Sequence, residues 1–146
     1  MQTNLYGTDE LVENLLEGAI TWAVVGLGLD ESKPAYGVAK VLQNHGKKII
    51  PIHPRAETVH GEKGYASLTS AIADGHQIDV VDCFVATKRV GQIVDEAIAL
   101  KLPAVWMQLE IVDEAAATRA TEAGIQVVMD RCPAIEWHRL AKRIQL

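Results

Sequence analysis

The stretch WAVVGLGLDESKPAYGVAKVLQNHGKKIIPIHPR, residues 22–55, sets the architecture. Trp22–Leu27 is an apolar run of strand length, and Gly26 and Gly28 break it at its end. Ala35, Val38, Ala39 and Leu42 then fall at i, i+3, i+4 and i+7, the stripe of a helix with one buried face. A second short run, Lys48–Ile52, follows at once. Strand, helix and strand in about 30 residues make a βαβ unit, whose strands must run parallel.

The same alternation continues to the end of the chain. Further Val- and Ile-rich runs lie at Asp79–Val85, Pro103–Met107 and Ile125–Met129, and the five runs start roughly 22 to 31 residues apart. Those intervals are too long for hairpins and suit a crossover helix. Helical periodicity occupies the gaps: Val90, Ile93, Val94 and Ala97; the Ala-rich Asp113–Ala123 with Gly124 as its C-cap; and Trp137, Leu140, Ala141 and Ile144. Ser67–Ala73 is a shorter helix. An opening helix over Thr8–Glu17 has Thr8 as its N-cap and turns Leu11, Leu15 and Leu16 to one face. The expected fold is α/β, a doubly wound parallel five-stranded sheet in a single domain over residues 1–146, with strand order 3-2-1-4-5.

Composition agrees. The chain has 146 residues, 49% hydrophobic and 23% charged, enough to build a core. Its 14 Lys and Arg stand against 19 Asp and Glu, a formal charge of −5, the wrong sign for general nucleic-acid affinity. No basic n-region opens it and no apolar run is long enough to span a bilayer, so a cytoplasmic location without membrane contact is expected. Cys83 and Cys132 cannot form a disulfide framework. The five histidines lack metal-ligand spacing, so no metal site is expected, and no G-x-S-x-G elbow points to a hydrolase.

In such sheets ligands bind beyond the C-terminal strand ends, so chemistry belongs to the loops after each run. The first, Gly26–Pro34, supplies two glycines and a helix start for phosphate. A dinucleotide fingerprint, G-x-G-x-x-G, would need glycine where Glu31 stands. A nicotinamide site would also want an acid after the second strand, and His53-Pro54-Arg55 stands there instead. An NAD(P)-binding oxidoreductase is therefore the alternative reading. Lys33 and Arg55 suit phosphate, or equally a solvated surface. Trp106 reads as core, and Gln108 as a side chain satisfying backbone groups.

Residues 22–55 resemble the opening of the small stand-alone CoA-binding proteins related to the CoA-binding domain of succinyl-CoA synthetase. The likeness continues through Val105–Leu109, Glu114–Ala116, Glu122–Gly124 and Val128–Pro133, and spans about Leu15 to Leu140. It implies a Rossmann-like, nucleotide-binding fold with CoA or an acyl-CoA across the strand ends. By position, Gly26, Leu27, Gly28, Lys33, Pro34 and Tyr36 would form the first-loop contact, and His53, Pro54 and Arg55 would hold the nucleotide end. The family more often carries a small polar residue at Leu27-Gly28 and Asn at His53, so backbone contacts are what the likeness carries over there. Cys132 follows the fifth run and precedes Pro133, the N-cap position of the last helix, where a thiolate is favoured and could link to the CoA thiol. Arg131 would add to that effect if its side chain points inward. Cys83, inside the third run, reads as inert. Nothing resembles a catalytic constellation, so the expectation is a ligand-binding protein, with a module sensing CoA state for a protein partner, or a homo-oligomer, left open.

Overall fold

The computed structural model describes residues 4–141. Five strands, β1 (Thr21–Val25), β2 (Lys48–Ile52), β3 (Val80–Cys83), β4 (Ala104–Met107) and β5 (Gln126–Val128), form one all-parallel sheet. Six helices accompany them: α1 (Asp9–Gly18), α2 (Pro34–Asn44), α3 (Leu68–Ala73), α4 (Thr87–Ala99), α5 (Glu114–Glu122) and α6 (Pro133–Arg139). Ile144, expected on the last helical stripe, lies outside the described residues. No helix among the described residues is long and apolar enough to cross a membrane.

Alternate residues of each strand face opposite layers. Trp22, Val24, Val80, Trp106 and Val128 pack under α1, α2 and α6. Ala23, Val25, Val81, Val105 and Val127 pack under α3, α4 and α5. The Ala116, Ala117 and Ala120 face of α5 is fully buried, which lets this helix approach the sheet closely. Trp22 and Trp106 meet at 5.6 Å between ring centroids and are fully buried. Each indole N–H finds a carbonyl, Trp22 at Ala19 (3.1 Å) and Trp106 at Arg131 (2.8 Å). Their burial contributes about 4–6 kcal/mol each as an upper figure.

The strand order is β2-β1-β3-β4-β5, which corrects the expected 3-2-1-4-5. Pro51 supplies the reason. In a parallel ladder a residue's N–H and C=O point to the same side, and the Pro51 carbonyl points away from β1, where it accepts from the Tyr65 N–H (2.9 Å). The Pro51 nitrogen faces that outer side with no hydrogen to donate, so a neighbouring strand there would lose a ladder bond. Thus β2 stays at the edge, covered by Tyr65, and β3 pairs with the other side of β1.

The segment from His53 to Ser67 is long but well tied down. Val59 and Glu62 exchange two backbone hydrogen bonds around His60 and Gly61, both at positive φ (52° and 81°). Val59 is fully buried against the α1/α2/α6 layer. The His60 ring packs on Tyr36 at 4.3 Å and bonds its carbonyl (2.8 Å), while Gln43 donates to the His60 carbonyl (3.1 Å). The loop is thereby fastened to α2, with His53, Pro54 and Arg55 at its start.

Candidate functional site

From β1 the chain crosses to β2 on one side, and from β3 it crosses to β4 on the other. The crossovers diverge between β1 and β3, where an open α/β sheet leaves a crevice at its C-terminal edge. A cleft of about 1130 Å³ lies there.

Its first wall is the loop after β1. Gly26 has φ +98°, and its N–H donates to the Ile52 carbonyl at 2.7 Å. A Cβ on it would stand 2.6 Å from the Phe84 carbonyl oxygen, so both conformation and space demand glycine. Further on, the Asp30 carboxylate accepts from the Ser32 N–H (3.0 Å) and hydroxyl (2.6 Å). Those two bonds, with the nearby Lys33 charge, hold Asp30 below the usual carboxylate range and close the turn that delivers Lys33 and Pro34 to the start of α2.

Helix ends are treated unequally. Thr8, Ser67 and Asp113 cap α1, α3 and α5 with their side chains. No side chain caps α2, α4 or α6, whose N-cap residues are Lys33, Ala86 and Cys132. All three of those residues line the cleft. The uncapped first turns leave N–H groups and positive dipole ends there for an anion.

Lys33, Arg55 and Arg89 bring positive charge over the ends of β1, β2 and β3, and all three are exposed. His53 is oriented by the Arg55 N–H, which donates to its Nδ1 (3.1 Å). A ring accepting at Nδ1 carries its proton on Nε2 when neutral, and that edge faces Gly28. Acidic side chains, Asp30, Glu57, Glu96 and Glu110, also line the cleft. Glu96 is engaged by Thr69, whose N–H (3.0 Å) and hydroxyl (2.7 Å) both donate to it.

Eight of the ten residues expected from sequence line this cleft: Gly26, Gly28, Lys33, Pro34, His53, Pro54, Arg55 and Cys132. The other two do not. Leu27 is fully buried in the α1/α2/α6 layer, and Tyr36 packs on His60. Arg131 also turns elsewhere. Its guanidinium donates to buried Glu136 (2.6 Å) and to the carbonyls of Tyr6 and Gly7 (both 3.1 Å), so it ties the N-terminal segment to α6 rather than facing the thiol. Sequence reasoning missed the wall after β3, Phe84–Thr87 and Arg89. The signal available was position, because that wall follows a strand end as the others do.

One polar pair lies under the cleft. Asp82, fully buried in β3, is hydrogen-bonded by Gln108 one residue beyond β4. Burial among apolar residues pushes the Asp82 carboxyl up to about 8, opposed by the Gln108 bond. Its Oδ2 has no partner among the described residues. Gln108 thus meets a carboxyl rather than the backbone groups expected of it; the backbone makes its own bonds, Gln108 N–H to Cys83 (3.3 Å) and Ile111 N–H to Gln108 (2.9 Å). Burial, with the Asp82 charge, raises Cys83 well above the usual thiol range, as expected for an inert core cysteine.

A family model described as a CoA binding domain matches residues 20–138. The uncharacterized protein YneT of Bacillus subtilis is 31% identical over 121 residues, 83% of this chain and 87% of that protein. A hypothetical protein from Pyrococcus horikoshii OT3 superimposes with a TM-score of 0.86 at 32% identity, covering 97% of this chain and 99% of the other. A dinucleotide-forming acetyl-coenzyme A synthetase 1 from Ca. Korarchaeum cryptofilum, in complex with phosphate and ADP, shares the fold at a TM-score of 0.66 and 23% identity. There 80% of this chain matches 26% of that one.

Asp82 also gives a pH-dependent stability. Its folded value is raised, so the folded state binds this proton more tightly than the unfolded chain, and rising pH from about 4 towards 8 progressively destabilises the fold. Asp82→Asn removes that dependence. In denaturant titrations the stability difference in favour of the variant should be wider at pH 8 than at pH 5 by at least about 1 kcal/mol. An equal difference at both pH values would contradict the burial account.

Proposed function

This chain belongs to the CoA binding domain family, and we propose that it binds CoA or an acyl-CoA across the C-terminal ends of its strands. The nucleotide end lies over β2, β1 and β3, near Lys33, His53, Pro54, Arg55 and Arg89. The pantetheine arm runs towards β4 and α6, ending beside Cys132. The observation that carries this reading is the polarity of the cleft: its three cations and two of its uncapped helix starts gather at one end, and a thiol stands at the other. Anionic phosphates suit the first end, and a neutral arm ending in sulfur suits the second. Both described cysteines are free, which agrees with a reducing, cytoplasmic setting.

Calorimetry at one fixed salt concentration checks the ligand. CoA should bind more tightly than NAD⁺ or NADP⁺. Lys33→Ala and Arg55→Ala should each weaken CoA binding by about 1 kcal/mol, the scale of a partly solvated charge contact. Dephospho-CoA should narrow the gap for whichever residue meets the 3′-phosphate. Equal or tighter nicotinamide binding, or unchanged CoA affinity in both variants, would count against the assignment.

Cys132 extends the same proposal. Its thiol lines the cleft at the N-cap of α6 and is only 9% exposed, so bulk reagents reach it poorly while a ligand lying in the cleft would reach it directly. In thiol–disulfide exchange with CoA disulfide, the Cys132 thiolate attacks one sulfur, a mixed disulfide forms, and one CoA leaves as its thiolate. Intact mass after incubation with CoA disulfide should show one CoA adduct that reductant removes. Cys83→Ser should keep the adduct and Cys132→Ser should lose it; an adduct that survives in Cys132→Ser would refute the link.

A further inference from the structure

Two polar side chains of the cleft converge on a residue that has no side chain of its own. A Cβ on Gly28 would stand 3.3 Å from Glu57 Oε1 and 3.5 Å from His53 Nε2, and all three residues line the cleft. Unlike Gly26, Gly28 lies outside the left-handed region, so its backbone does not demand glycine. What the missing side chain leaves open is the ground beside the carboxylate and the ring.

The turn after β2 fixes both groups. The Ala56 N–H donates to the His53 carbonyl (2.8 Å), the Arg55 N–H donates to His53 Nδ1 (3.1 Å), and Ala56 takes a φ of 49°, a conformation that a residue with a Cβ rarely adopts. Gly64 packs on the next residue so closely that a Cβ there would stand 2.2 Å from the Glu57 carbonyl oxygen. The chain is thereby bent back, and Glu57 returns to the side of His53. With Nδ1 accepting, a neutral His53 ring carries its hydrogen on Nε2 and is a donor there. Glu57 Oε1 is an acceptor, and no hydrogen bond or ion pair engages that carboxylate among the described residues. Asp30 and Glu96, by contrast, are taken up by Ser32 and Thr69.

Resting on CoA binding in this cleft, we propose that His53 and Glu57 read the base of the nucleotide. Glu57 accepts from the amino group of adenine, and His53 Nε2 donates to the ring nitrogen beside it. A carboxylate at the cation-rich end of the cleft repels phosphates, so a ligand must bring it a donor to offset that cost. The nucleotide end of CoA carries two kinds of donor, the adenine amino group and the ribose 2′-hydroxyl. Only the base sets a separate acceptor atom beside its donor on one edge, which matches an N–H and a carboxylate oxygen on two different side chains. Guanine or hypoxanthine turns a carbonyl oxygen to the carboxylate instead, acceptor against acceptor.

Calorimetric titration of the whole protein with CoA and with deaminated CoA, in which hypoxanthine replaces adenine, tests this in the presence of reductant. The wild type should prefer CoA by about tenfold, the scale of one partly solvated hydrogen bond to a charged acceptor. Glu57→Gln should bring the two ligands within about twofold of each other, because an amide accepts from an amino group and donates to a carbonyl equally well. The ratio is the readout, since removing the Glu57 charge favours the phosphates of both ligands alike. His53→Phe should weaken CoA by about three- to tenfold, one neutral hydrogen bond. A carboxylate that only shapes the loop, or that meets the ribose, would move both ligands together in Glu57→Gln and leave their ratio as it was. Equal affinity in the wild type, a preference that survives in Glu57→Gln, or unchanged CoA affinity in His53→Phe overturns the inference and leaves CoA binding standing. Failure of both ligands to bind the wild type overturns the CoA reading and the inference with it.

Discussion

A proline in an edge strand organises the site. Pro51 turns its hydrogen-less nitrogen to the outer side of β2, so that side can take Tyr65 but not a full strand. The chain leaving β2 must then place β3 beyond β1. Right-handed crossovers carry α2 to one face and α3 and α4 to the other. The crevice between the ends of β1 and β3 follows from that divergence. Gly26 lets the two loops approach closely, since any side chain there would meet the Phe84 carbonyl.

Helix capping and charge then give the crevice its direction. Overall the chain is acidic, with a formal charge of −5. That sum does not describe the cleft, because exposed charges farther apart than about 8–10 Å are largely screened at physiological salt. What an anion entering the cleft would meet is local: Lys33 at the N-cap of α2 and Arg89 on the first turn of α4, both helices without side-chain caps, and Arg55 after β2. Thr8, Ser67 and Asp113 cap α1, α3 and α5, each accepting from a first-turn N–H, while α6, at the other end of the cleft, is uncapped but brings no Lys or Arg to the lining. The cations of the cleft are thus concentrated at one end.

Much of this was readable in the sequence, and the failures have physical causes. Strands buried on both faces appear as short Val- and Ile-rich runs, and amphipathic helices show their period, so all five strands and their helices could be placed within a few residues. Strand order depends on long-range pairing that no local pattern encodes; Pro51 was the available clue, since proline within a strand points to an edge. The resemblance places Leu27 and Tyr36 in the first-loop contact by position, at Leu27 through its backbone; neither lines the cleft, because a loop next to a core turns some side chains inward. Tyr36 instead holds His60, and Leu27 fills the layer under α2. Asp82 was visible as an acid inside an apolar run, yet its partner Gln108 lies 26 positions away and became evident only once β3 and β4 were paired.

The central claim is that CoA lies across the C-terminal strand ends at the divergence between β1 and β3. Amide hydrogen exchange with and without saturating CoA measures this most directly, because it reports every loop at once. The account predicts slowed exchange in the segments 26–35, 53–57 and 84–89, with α1 and α5 unchanged. Protection confined to α1 or α5, or none in those three loops despite measurable binding, would contradict it.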